Sequence, residues 1–75
     1  MTGLPVVIPR QLIRALERAG FSVHHVRGSH HYLRHPAKPG ILVTVPSHGR
    51  DLKRGTLRSI LRQAGISVSE LVDLL

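Results

Sequence analysis

The chain has 75 residues, with 11 Lys and Arg against 4 Asp and Glu and a formal net charge of +7, so it is bounded to one small basic domain. Cysteine is absent, which excludes a disulfide framework, a zinc knuckle and a thiol nucleophile. The hydrophobic fraction of 41% argues against disorder, no apolar run approaches the ~18 residues of a membrane span, and no signal peptide is visible, so a cytoplasmic protein is expected.

Residues 1–8, with Gly3 and Pro5, read as an extended arm. From Pro9 the apolar residues Leu12, Ile13, Leu16 and Ala19 follow helical spacing, and Gly20 is placed to end the helix. Arg10, Arg14 and Arg18 form a basic stripe on another face. Ser22–Val26, Ser29–His35 and Ile41–Val45 read as three strands. Their connections, Arg27-Gly28 and Pro36-Ala37-Lys38-Pro39-Gly40, are short enough to favour an antiparallel meander.

A polar, basic loop over 46–55 leads to Thr56, a candidate cap for a second helix with Leu57, Ile60, Leu61 and Ala64 on one face and Gly65 at its end. Arg54, Arg58 and Arg62 make a second basic stripe, and Ser67 with Glu70 has the spacing of a capping box for a short last helix. The expected organisation is an arm over 1–8, a core over 9–65 and a terminal helix over 66–75. The fold class is α+β, α-β-β-β-α, with a three-stranded antiparallel sheet and both long helices on one face. Double-stranded-RNA-binding domains have this layout.

All eleven basic residues fall in the first 65 positions against Glu17 and Asp51 alone, whereas the last ten carry Glu70 and Asp73. A body charged this way attracts polyanions, nucleic acid first among them. With only Phe21 and Tyr32 as aromatics, base stacking on aromatic platforms is not expected, and recognition should run through phosphates, 2′-hydroxyls and shape.

Six histidines crowd the chain: His24, His25, His30, His31, His35 and His48. A zinc site needs converging ligands with carboxylates behind them, and a two-metal phosphodiesterase needs clustered carboxylates. Only Glu17 and Asp51 lie outside the tail, so the residues point away from a metal or other cofactor. RNA cleavage here would use the 2′-hydroxyl as internal nucleophile, a histidine to move protons, and Arg or Lys to stabilise charge on phosphorus. Strand parity sorts the candidates. Leu33 shares a face with His31 and His35, and His30 shares the other with Tyr32 and Arg34. With Leu33 in the core, His30 lies on the open face.

Gly28-Ser29-His30-His31-Tyr32, then Val43-Thr44-Val45-Pro46-Ser47-His48, then Leu52-Lys53-Arg54-Gly55-Thr56-Leu57-Arg58 and its continuation to Gly65, occur in this order and at compact spacing. Together these segments resemble the HicA (YcfA-like) toxins, small mRNA interferases of toxin–antitoxin modules, from about Pro9 to Gly65. The resemblance implies a fold like that of double-stranded-RNA-binding domains, metal-independent mRNA cleavage that inhibits translation, and a catalytic histidine on the second strand. It also implies a cognate HicB-type antitoxin over the active site, with a monomeric free toxin and a hetero-oligomeric complex. The motif histidine maps onto His30, with His31 the alternative, and His48 matches the loop histidine. On this reading Arg27, Ser29, Arg34, His48, Lys53, Arg54 and Arg58 hold RNA. The competing expectation is a double-stranded-RNA-binding module without chemistry, using the same basic surface.

Overall fold

The computed structural model describes residues 3–47 and 49–75. Its elements run α1 (Pro9–Arg18), β1 (Ser22–Arg27), β2 (His30–Arg34), β3 (Val43–Pro46), α2 (Arg54–Ala64) and α3 (Val68–Leu74). The strands form one antiparallel sheet in the order β1-β2-β3. This is the expected α+β architecture, with strand ends displaced by one or two residues; β3 begins at Val43 rather than Ile41.

The core follows the two sequence periodicities. Leu12, Ala15 and Leu16 from α1 and Leu57, Ile60, Leu61 and Ala64 from α2 are buried. They meet Leu33, Val43 and Val45, each wholly inaccessible, from the sheet. α1 packs on β1 and β3, α2 on β3, and α3 on α1. Among the described residues, no helix covers the opposite face of the sheet. The arm is tied to this core: Val7 is buried and its carbonyl accepts from the Leu52 N–H at 2.9 Å.

The ends of the helices are set by local chemistry. α1 starts at Pro9, and the Gln11 side chain accepts from the Ile8 N–H at 3.0 Å. α2 ends on Gly65 in the left-handed conformation, and the Lys38 Nζ donates to the Ala64 carbonyl at 2.7 Å, placing a cation at the negative end of the helix. The capping box of α3 forms as expected, Glu70 N–H to Ser67 Oγ at 3.0 Å and Ser67 N–H to Glu70 Oε1 at 3.1 Å. Thr56 does not cap α2. The helix starts three residues earlier, with Lys53 as its N-cap residue and no side-chain cap bond, so Thr56 sits within the first turn.

Between β1 and β2 the connection is the two-residue turn Gly28-Ser29, because Arg27 pairs with His30. Gly28 has φ +59, the positive value that the first position of a II′-type hairpin turn requires. Gly20 is different. Its φ is +104, and a Cβ there would lie 2.5 Å from His35 Nε2.

Two stability changes follow. Leu33→Ala empties the centre of the core and should cost about 2–5 kcal/mol, most of what a domain of this size has; chemical denaturation should find it largely unfolded without denaturant. Gly20→Ala should cost about 1 kcal/mol more than Gly28→Ala, since both strain the backbone but only the first must displace His35. Paired urea melts check the difference.

Candidate functional site

β2 is the central strand, and its alternation sends neighbouring residues to opposite sides of the sheet. Leu33 points into the core, so His31 lies on the helix side and His30, Tyr32 and Arg34 on the open side. His31 pairs with Val26 on β1 and Val45 on β3. It is half-buried, and its Nδ1 is shielded from solvent with no hydrogen-bond partner among the described residues. Leaving a ring nitrogen so placed is costly, and such atoms are uncommon enough in folded proteins to need a reason.

His31 lines a cleft of about 320 Å³ between α1 and the sheet. Arg10, Arg14 and Glu17 enter it from α1, Ser47 from the end of β3, and Val23 and Ile13 supply apolar wall. The cleft is open because the helices cover β2 and β3 more fully than β1, whose residues are all exposed. Ser47 is held there by its N–H, which donates to the Ser29 carbonyl and extends the β2–β3 ladder past the strand ends.

A second depression, of about 330 Å³, lies between Pro9, Pro46, Leu52 and Thr56, with Arg50, Lys53 and Asp51 on its rim. Pro9 precedes Arg10 and Pro46 precedes Ser47, so the two depressions flank the same pair of chain segments.

The residues expected to hold RNA are thus divided. Lys53 lines the second depression, and Arg54 and Arg58 are exposed on α2. Arg27 and Arg34 lie with His30 on the opposite face of the sheet. Ser29 is half-buried in the hairpin turn. His48 lies outside the described residues. Arg10, Arg14, Glu17 and Ser47 were not among the expected site residues. The stripe Arg10, Arg14, Arg18 was the available signal, but nothing in the sequence says which wall that stripe faces. Arg18 leaves the group: its guanidinium donates to the Leu74 carbonyl at 2.6 Å, fastening α1 to α3.

His35 serves the fold. Its Nε2 lies 3.1 Å from the Ala19 carbonyl and its Nδ1 accepts from the Ala37 N–H at 3.0 Å. Because a carbonyl only accepts, the Nε2 carries the proton and the neutral tautomer is fixed. The ring also meets Phe21 edge-on at 5.0 Å. Both nitrogens are committed, so His35 is not a candidate for proton transfer. Among the described residues no three His, Cys, Asp or Glu side chains gather as a metal site, and no helix is long and apolar enough to cross a membrane.

The class is that of a basic α+β domain resembling double-stranded-RNA-binding domains, with a histidine cleft on the helix side of the sheet. The chain belongs to the HicA toxin family: the family model described as the HicA toxin of bacterial toxin-antitoxin matches residues 9–66. It is therefore a toxin of a toxin–antitoxin system, and membership implies an antitoxin partner. No curated protein matches the chain.

His35→Ala should lower stability by about 2 kcal/mol, the sum of two modest hydrogen bonds and an edge-on ring contact. His24→Ala, at an exposed position, should stay within about 0.5 kcal/mol of the parent. Denaturant midpoints of the two variants separate the structural histidine from a surface one.

Proposed function

We propose that this toxin is a metal-independent endoribonuclease, an mRNA interferase of a type II system, which cuts mRNA and so inhibits translation. On this reading it acts in the cytoplasm and is neutralised by a HicB-type antitoxin. The observation that supports it best is His31: a strand histidine whose buried Nδ1 has no hydrogen-bond partner among the described residues, in a cleft also lined by two arginines and a serine. A phosphate seated between Arg10 and Arg14 would bring its ribose within reach of the imidazole. The RNA 2′-hydroxyl then attacks the adjacent phosphorus, the bond from phosphorus to the 5′-oxygen breaks, and a 2′,3′-cyclic phosphate and a 5′-hydroxyl result. His31 either takes the proton from the 2′-hydroxyl while water protonates the departing 5′-oxygen, or supplies the proton to that oxygen while water accepts the one from the 2′-hydroxyl. The arginines stabilise the charge on the pentavalent phosphorus, and Lys53 and Arg50 hold phosphates further along the strand.

The shortage of carboxylates supports a route without metal ions, since Glu17 alone among the four enters the cleft. Of the two histidines the family motif allows, the cleft favours His31. His30 is exposed on the face without helices.

Cleavage of single-stranded RNA in the presence of chelator tests both the activity and the assignment. His31→Ala should lose about 10²- to 10⁴-fold in rate, while His30→Ala should stay within about tenfold of the parent. The reverse pattern moves the proton-transfer role to His30. Tight, salt-sensitive duplex binding without turnover by the parent protein would replace the ribonuclease with a binding module.

A further inference from the structure

We propose that the helix-free face of the sheet is a stacking platform for single-stranded RNA, separate from the cleft that holds His31; the proposal rests on the reading of RNA as substrate. Four rings gather on β1 and β2. His25 stacks on Tyr32 across the strand pair, with centroids 4.4 Å apart and planes 14° from parallel. His24 meets His25 edge-on at 5.2 Å, its Nδ1 3.0 Å from that of His25. His30 lies tilted 6.5 Å from Tyr32. A shift in register between Val23 and His25 places His25, rather than His24, opposite Tyr32. An unshifted ladder would pair His24 with Tyr32 and send His25 to the other face.

Arginines stand at both ends of this row. Arg27 pairs with His30 at one end of the ladder, and Arg34 pairs with Ser22 at the other. None of the four carboxylates is on these strands: Glu17 is on α1, Asp51 in the loop before α2, and Glu70 and Asp73 on α3. The face therefore combines flat delocalised rings with fixed positive charge and offers no negative group.

Single-stranded RNA matches both features. Its unstacked bases lie against aromatic or imidazole rings while its phosphates meet guanidinium groups. A duplex hides its bases, and an acidic protein would satisfy the arginines without using the rings. With two aromatic residues in the chain, stacking was not expected; the histidines supply the missing rings.

Tyr32 is the single tyrosine and tryptophan is absent, so tyrosine emission reports on this face alone. A short 2′-O-methyl oligouridylate, which has no free 2′-hydroxyl to react, should quench that emission when titrated into the full chain. An abasic oligomer of equal length and charge should leave it unchanged and bind about tenfold more weakly. Tyr32→Leu and His25→Leu should each weaken binding of a labelled oligouridylate by about tenfold, and Tyr32→Phe should restore it. Equal binding of the base-bearing and abasic oligomers without quenching overturns the platform, whether or not the variants fold. Quenching by a polyglutamate peptide but not by the oligouridylate also overturns it. Quenching by the oligouridylate in a protein that cleaves no RNA supports the platform and removes the ribonuclease reading instead.

Discussion

The position of Leu33 governs the rest of the molecule. It is fully buried at the middle of the central strand, and because side chains alternate along a strand, fixing it toward the helices fixes every neighbour. His31 is thereby sent to the cleft beside α1, and His30, Tyr32 and Arg34 to the uncovered side. A slip of one residue would exchange the two histidines and put Tyr32 and Arg34 into the core. Val43 and Val45, paired with Leu33 and His31, oppose such a slip, since it would set polar side chains of β2 against them in place of Leu33. One apolar side chain with its two cross-strand neighbours thus decides which imidazole faces the arginines of α1.

Cations are divided between fold and function by the same geometry. Lys38 and Arg18 reach the carbonyl ends of α2 and α3, where the helix ends carry partial negative charge. Lys38 also lies 5.5 Å from the centroid of the Phe21 ring, close enough for a cation–π contact. These two residues tie loop to helix and helix to helix in a protein with no disulfide to do so. Most other basic heads remain at the surface, where like charges repel one another and oppose compaction. A partner bringing carboxylates to that surface would relieve the repulsion and stabilise the folded state by binding. The antitoxin that the family implies therefore has a physical reason to stabilise the toxin as well as to silence it.

Most of the fold was legible in the sequence. Helical spacing located Leu12 and Leu16 in α1 and the four core residues of α2, parity placed Leu33, and Ser67 with Glu70 announced the cap of α3. What escaped was whatever depends on two segments meeting. Lys53 rather than Thr56 is the N-cap residue of α2, next to Leu52, whose N–H is bonded to the Val7 carbonyl of the arm. The role of His35 depends on Ala19 and Ala37 converging on its ring. Arg10 and Arg14 were visible as a stripe, but only the packing of α1 on β1 and β3 shows that the stripe borders His31. The stack of His25 on Tyr32 was hidden for a different reason: the irregularity near His24 breaks the alternation on which any reading of β1 by parity relies.

β1 makes the two faces of the sheet neighbours. It is the edge strand, exposed along its whole length, and its helix-side residues Val23 and Val26 retain 36% and 53% of their accessible surface. No helix stands between the cleft and this edge. A nucleic acid reaching from His31 to the rings of His25 and Tyr32 need only turn around one strand, past Arg27 and the Gly28 hairpin. A sheet is about 10 Å from the layer packed on it, so the path around its edge spans few nucleotides. Duplex RNA is too stiff and too wide to follow so tight a turn, but a single strand with rotatable backbone bonds can. If the chain acts on RNA as proposed, the hairpin that delivers both histidines of β2 therefore also sets the kind of RNA that could occupy both faces at once: unpaired, flexible, and held by phosphate on one side and by base on the other.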